Sequence, residues 1–64
     1  MSTTFTVRLL RPGSPLILGS YDVYQEAKER MEAMLQMLSI GTIEVLAGDY
    51  VIDRETTALF HKTS

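Results

Sequence analysis

The stretch YDVYQEAKERMEAMLQMLS, Tyr21 to Ser39, carries an apolar stripe with the period of an α-helix. With Tyr24 at zero and about 100° per residue, Ala27, Met31, Met34, Leu35 and Leu38 fall within roughly 100° of one another. That arc is the inward face. Gln25, Lys28, Glu29, Glu32 and Gln36 fill the opposite arc as solvent positions, and Glu26 and Arg30 are spaced as a carboxylate-first i,i+4 pair. Ser20 or Asp22 can cap the amino end, Asp22 with Gln25 matching a capping box, and Gly41 can take a left-handed conformation at the other end. The spacing predicts one helix that starts near Tyr21–Val23 and stops near Ile40.

Val23, Ala33 and Met37 lie off the stripe on one flank and widen the apolar arc to about 180°. Strand ends and loops of the same domain are the ordinary cover for such a flank, because Met fills irregular gaps. The alternative is a partner. Met31, Met34 and Met37 make an adaptable apolar strip suited to recognition or to a homodimer seam.

On the amino side of the helix, Phe5, Val7 and Leu9 alternate with Thr4, Thr6 and Arg8, which predicts a half-buried strand over Thr3 to Leu10. Arg11-Pro12-Gly13-Ser14 has the residues of a type II turn, and Pro15-Leu16-Ile17-Leu18 follows as a second extended run. Pro15 cannot donate to a ladder, so that strand begins after it or runs along an edge. On the carboxyl side, Thr42 to Leu46 alternates again, and Gly48-Asp49 offers a tight turn before Tyr50-Val51-Ile52. Asp53-Arg54-Glu55-Thr56 reads as a further turn, returning into a last strand, Thr57 to His61. The fold expected is α+β: an antiparallel sheet of four to five strands in β-β-α-β-β-β order, with one amphipathic helix packed on one face.

Sixty-four residues, with 45% hydrophobic residues and mixed charge, predict one folded domain over residues 1–64. A domain this small is marginally stable, which oligomerisation or a bound partner would relieve. The chain has no cysteine, so neither a disulfide framework nor a thiolate metal site can form, and a reducing compartment is expected. No basic-then-apolar leader and no run of about eighteen apolar residues is present, so the expectation is a cytoplasmic chain with no membrane partner.

The chemistry-bearing patterns are sparse. His61 is the single imidazole, and of the carboxylate candidates Asp49, Asp53 and Glu55, Asp49 and Asp53 fall at opposite ends of one short strand, roughly 13 Å apart at ~3.3 Å per residue. There is no Gly-x-Ser-x-Gly elbow, and Gly13, Gly19, Gly41 and Gly48 stand singly, so no phosphate loop forms. Neither an enzyme, a metal, a cofactor nor a small-molecule substrate is expected. Phe5, Tyr21, Tyr24, Tyr50 and Phe60 could form a base-stacking platform, but with a net charge of −2 and scattered basic residues nucleic acid is not favoured.

The apolar residues point elsewhere. Several strands place them on both faces, as with Leu9 and Leu10, Ile17 between Leu16 and Leu18, Val51 beside Ile52, and Leu59 beside Phe60. The function expected is a small non-enzymatic protein–protein interaction module: a regulator, adaptor or inhibitor of a larger protein, or a homodimer. Its contact residues would be Val23, Ala33 and Met37 on the helix flank, or Leu10, Ile17, Val51 and Phe60 on the open sheet face. A sheet edge offers a third route, by strand addition. The alternative is a nucleic-acid-associated regulator using a basic edge of Arg8, Arg11 and Lys62.

Overall fold

Strands β1 (Phe5–Leu10) and β2 (Leu16–Tyr21), helix α1 (Tyr24–Met37), and strands β3 (Thr42–Ala47) and β4 (Tyr50–Thr56) follow one another in the computed structural model, which describes residues 3–58. The strands form one antiparallel sheet in the order β2-β1-β3-β4, and α1 packs on one face, an α+β fold. Because β1 lies between β2 and β3, those two strands run parallel and no tight turn can join them. The connection must cross the sheet, and α1 is that crossover.

Both hairpins turn where the sequence predicts. Pro12 presets its own φ, and Gly13 at φ 95° takes the conformation required at the third position of a type II turn. Gly48 at φ 61°, with no positive φ at Asp49, supplies the first central residue of a II′ hairpin between β3 and β4.

The register separates the two faces of the sheet. Phe5, Val7 and Leu9 lie beside Ala47, Val45 and Ile43 on the helix side. There Val7, Ile43 and Val45 pack with Ala27, Met31 and Leu35, all fully buried. Phe5, Leu9, Leu18, Tyr21, Tyr24, Met34 and Leu38 close the margin of this core, with the Phe5 and Tyr24 rings edge to face at 5.9 Å. Burying one large aliphatic side chain contributes roughly 1.5–3 kcal/mol, and the inward stripe of the helix supplies half of the buried set.

Both edge strands carry a bulge. Val7 pairs with Gly19 and Arg8 with Ile17, which leaves Leu18 as the extra residue of β2. Val45 pairs with Asp53 and Leu46 with Val51, which leaves Ile52 as the extra residue of β4. Bulges of this kind bend the strand and increase its local twist.

Four details differ from the sequence reading. Asp53 to Thr56 continues β4 instead of turning, because each of these residues has a partner in β3 and their polar groups find long-range partners that local propensity does not register. The last strand does not begin at Thr57: Thr57 and Ala58 are helical, and the rest of that expected strand, through His61, lies outside the described residues. Neither Ser20 nor Asp22 caps the helix and the Asp22–Gln25 box does not form: β2 runs on through Tyr21, holding Ser20 in the ladder opposite Thr6, and the cap position falls one residue past Asp22 to Val23, which has no side-chain oxygen. Gly41 has no positive φ; the chain leaves the helix at an extended Leu38 (φ −90°, ψ 141°).

Gly41 serves a different purpose. Its N–H donates to Thr57 Oγ1 at 3.2 Å, and Thr57 N–H donates to its carbonyl at 3.0 Å. A Cβ at this position would lie 3.3 Å from Leu38 Cδ1, tighter than ordinary contact, and 3.4 Å from Leu9 Cδ1. Its small size therefore lets the end of the helix, β1 and the end of β4 converge.

Candidate functional site

The face of the sheet away from the helix is organised by one cross-strand row. Arg8 of β1 lies opposite Glu44 of β3, and Glu44 lies opposite Arg54 of β4. Arg8 gives Nε and Nη2 to Glu44 Oε1 at 2.8 and 2.7 Å. Arg54 gives Nε to Oε2 at 2.7 Å and adds its Nη2 to the same oxygen. Each carboxylate oxygen therefore takes one guanidinium, an arrangement whose charge-assisted bonds are stronger than neutral ones.

Glu44 is 1% exposed, while more than half of the Arg54 side chain stays in solvent. Burial pushes the Glu44 carboxyl up, but the hydrogen bonds from Arg54 and Arg8, together with their charges, outweigh it and hold the group below the ordinary glutamate value. The group is an ion at neutral pH, and the row carries a net charge of +1 on a chain of net −2.

This row divides the open face. On one side Leu46 and Val51 pair across β3 and β4, and on the other Leu10 and Ile17 stand near the opposite corner. The sheet thus brings Leu10, Ile17 and Val51 to one face, as expected, but does not join them into one apolar patch. Phe60, the fourth residue expected there, lies outside the described residues.

The helix flank is also uncovered, contrary to the ordinary expectation that strand ends and loops close over it. Val23 is 51% and Met37 78% exposed, and Ala33 is exposed as well. They do not form one surface. Val23 and Met37 stand about 21 Å apart along the axis at ~1.5 Å per residue, with Glu26 and Arg30 on the same side between them. Glu26 and Arg30 do not close as an ion pair; among the described residues both ion pairs are at Glu44, in keeping with the small gain an exposed helix pair offers.

The exposed large apolar side chains concentrate at the sheet edges. Leu16 and Ile17 belong to β2, and Tyr50, Val51 and Ile52 to β4, against Val23, Met37 and Ile40 around the two ends of the helix. Tyr50, at 80% exposure, and Ile52 are not among the contact residues expected from sequence, where Tyr50 enters only as a stacking aromatic and Ile52 only as the neighbour of Val51. The Ile52 bulge breaks the alternation of β4.

The basic edge does not assemble as drawn from sequence. Arg8 is bound to Glu44, Arg11 Nε donates to the Ser14 carbonyl at 2.9 Å within the first turn, and Lys62 lies outside the described residues. Phe5, Tyr21 and Tyr24 pack at the core margin on the helix side, so they form no stacking platform. Among the described residues no three metal-ligating side chains converge, and no helix is long and apolar enough to cross a membrane. In comparison with known proteins, the chain matches no family model, no curated protein and no solved structure.

Proposed function

We propose that this chain is a small non-enzymatic protein–protein interaction module, acting as a regulator, adaptor or inhibitor by covering part of a larger protein. The observation that supports it is the placement of Tyr50, Val51 and Ile52, three consecutive exposed apolar residues on edge strand β4. Exposed apolar side chains are ordinary when scattered. Here they share one strand end with a backbone edge that no other described strand pairs, and with Arg54 two residues further on, which combines the means of strand addition with an apolar anchor and a charged group. The Arg8–Glu44–Arg54 row fits this reading as the fixed polar centre of the adjoining face, since charged pairs across an interface set register and partner choice.

The test is capture from an extract of the source cells on the immobilised chain, with Val51→Lys and Met37→Glu in parallel, followed by reconstitution of any captured pair from purified components. The expected result is a partner retained by the wild type and by Met37→Glu, lost with Val51→Lys, and bound again in the purified pair. A partner held equally by all three chains, or none held by any, overturns the β4 reading.

A further inference from the structure

We propose that the other edge, β2, is a self-association strand, through which two copies pair antiparallel about a two-fold axis into one continuous sheet of two four-strand halves. This rests on the same premise as the functional reading, that the exposed apolar edges are contact surface, but uses the opposite edge of the sheet.

The two edges differ in charge. β4 carries Asp53, Arg54 and Glu55 in succession. Two-fold pairing centred on Asp53 sets that carboxylate against its own copy, and pairing centred on Arg54 sets Arg54 against itself and Asp53 against Glu55; like charges directly opposite are destabilising. Strand β2, Leu-Ile-Leu-Gly-Ser-Tyr, has no charged side chain, although charges are a common protection of a natural edge. Its Ile17 is 56% exposed. A second copy of this chain is thus excluded by charge from the middle of β4 and admitted by β2.

The register follows from the bulge. Gly19 lies in the Val7 row and Ile17 in the Arg8 row, with Leu18 turned onto the core margin between them. A two-fold axis must fall on a row if both copies are to keep their helices on the same face. Centred on Gly19, it sets Ser20 against Ile17 of the partner subunit and Tyr21 against Leu16 of the partner subunit, like faces meeting in both pairs. Asp22 then falls opposite Pro15 of the partner subunit, which has no N–H and ends the ladder. The next residue is Ser14 of the partner subunit, the residue whose carbonyl holds the Arg11 guanidinium. Asp22 and Arg11 are both exposed, so the pairing brings acid to base twice, once at each end of the ladder.

The ladder is short, well under the area of a standard interface, so the dimer should form over micromolar to millimolar concentrations, roughly 10 µM to 1 mM. Sedimentation of the full chain across that range is expected to show the mass rising from monomer to dimer. Ile17→Lys should hold it monomeric. Arg11→Asp and Asp22→Arg singly should weaken association by about tenfold, and the double exchange should restore it. Circular dichroism confirms that each variant is folded, and the exchange at two loop positions keeps the test independent of any damage at Ile17. A monomer throughout the range overturns the proposal, as does a dimer indifferent to Ile17→Lys and to the charge exchange. Either result leaves the Val51-dependent capture on β4 standing, just as failure of that capture leaves the β2 dimer standing.

Discussion

The Tyr24 hydroxyl donates a 2.7 Å hydrogen bond to Asp53 Oδ2, tying the first turn of the helix to edge strand β4, three strands across the sheet from the one that leads into it. The contact does two things. It supplies a partner for a carboxylate on the helix side of the sheet, in the Val45 row, and it anchors a helix whose amino end has no side-chain cap. A helix start without its cap lacks about 1 kcal/mol of ordinary stabilisation, and a hydrogen bond to a charged acceptor contributes on the same scale.

Tyr24→Phe should therefore cost about 1–2 kcal/mol, although the ring keeps its edge contact with Phe5. In a chain of this size that lowers the melting temperature by roughly 4–8 °C per kcal/mol. Urea unfolding of Tyr24→Phe, Asp53→Asn and the double variant should show coupling of about 1 kcal/mol; additivity would mean that the bond carries no stability. The hydrogen bond to Asp53, with burial and the charges of Asp53 and Glu32, raises the Tyr24 pKa above its ordinary 10.0. Above that pH the unfolded chain releases a proton that the folded chain keeps, so this contribution falls as pH rises through the folded value, and Tyr24→Phe should flatten the alkaline limb of the stability curve.

Met31 and Met37 stand on the same helix in opposite circumstances, one fully buried and the other 78% exposed. Met31→Ala leaves a cavity against Leu35 and the strands, expected to cost about 2–5 kcal/mol and to leave so small a domain largely unfolded. Met37→Ala should change stability by no more than about 0.5 kcal/mol. Thermal denaturation of the two variants side by side checks this, and a comparable loss at Met37 would mean that this flank is covered in solution.

At Gly48 a Cβ would meet nothing within 4 Å, so Gly48→Ala isolates the backbone cost of φ 61°. The expected loss is about 1–2 kcal/mol. Gly48→Asn, which tolerates the left-handed region better, should recover part of it. Equal stability of the two variants would place the cost elsewhere.

The helix and the two hairpins were legible because their signals are local: a 3.6-residue period from Tyr24 to Leu38, proline and glycine at Pro12-Gly13, and Gly48 before Asp49. The Glu44 site was not, because its partners are 36 and 10 residues away and meet only through strand pairing. Within Thr42 to Ala47, Glu44 reads as a solvent position between two core residues. The available signal was parity: Arg8, Glu44 and Arg54 share the outward face once β1, β3 and β4 are placed side by side, but reading Asp53 to Thr56 as a turn removed Arg54 from the sheet. Tyr50 and Ile52, the exposed neighbours of Val51, were missed for a related reason, since nothing local announces the bulge at Ile52.

Glu44 itself gives the sharpest test of how the open face is held. Glu44→Gln keeps the shape but leaves Arg8 and Arg54 without their anion, and is expected to cost about 1–3 kcal/mol at neutral pH. The pH dependence follows from the direction of the shift. Because the folded carboxyl titrates below the ordinary glutamate value, its contribution is fully present above about pH 4.3 and is lost as pH falls through the folded value, where the native ion must take up a proton. Wild type and Glu44→Gln should therefore differ most at neutral pH and converge in acid, as measured by urea unfolding in steps from pH 7 downward. If the two curves fall in parallel instead, the arginine pair does not hold the Glu44 charge and the row is not the fixed centre of this face.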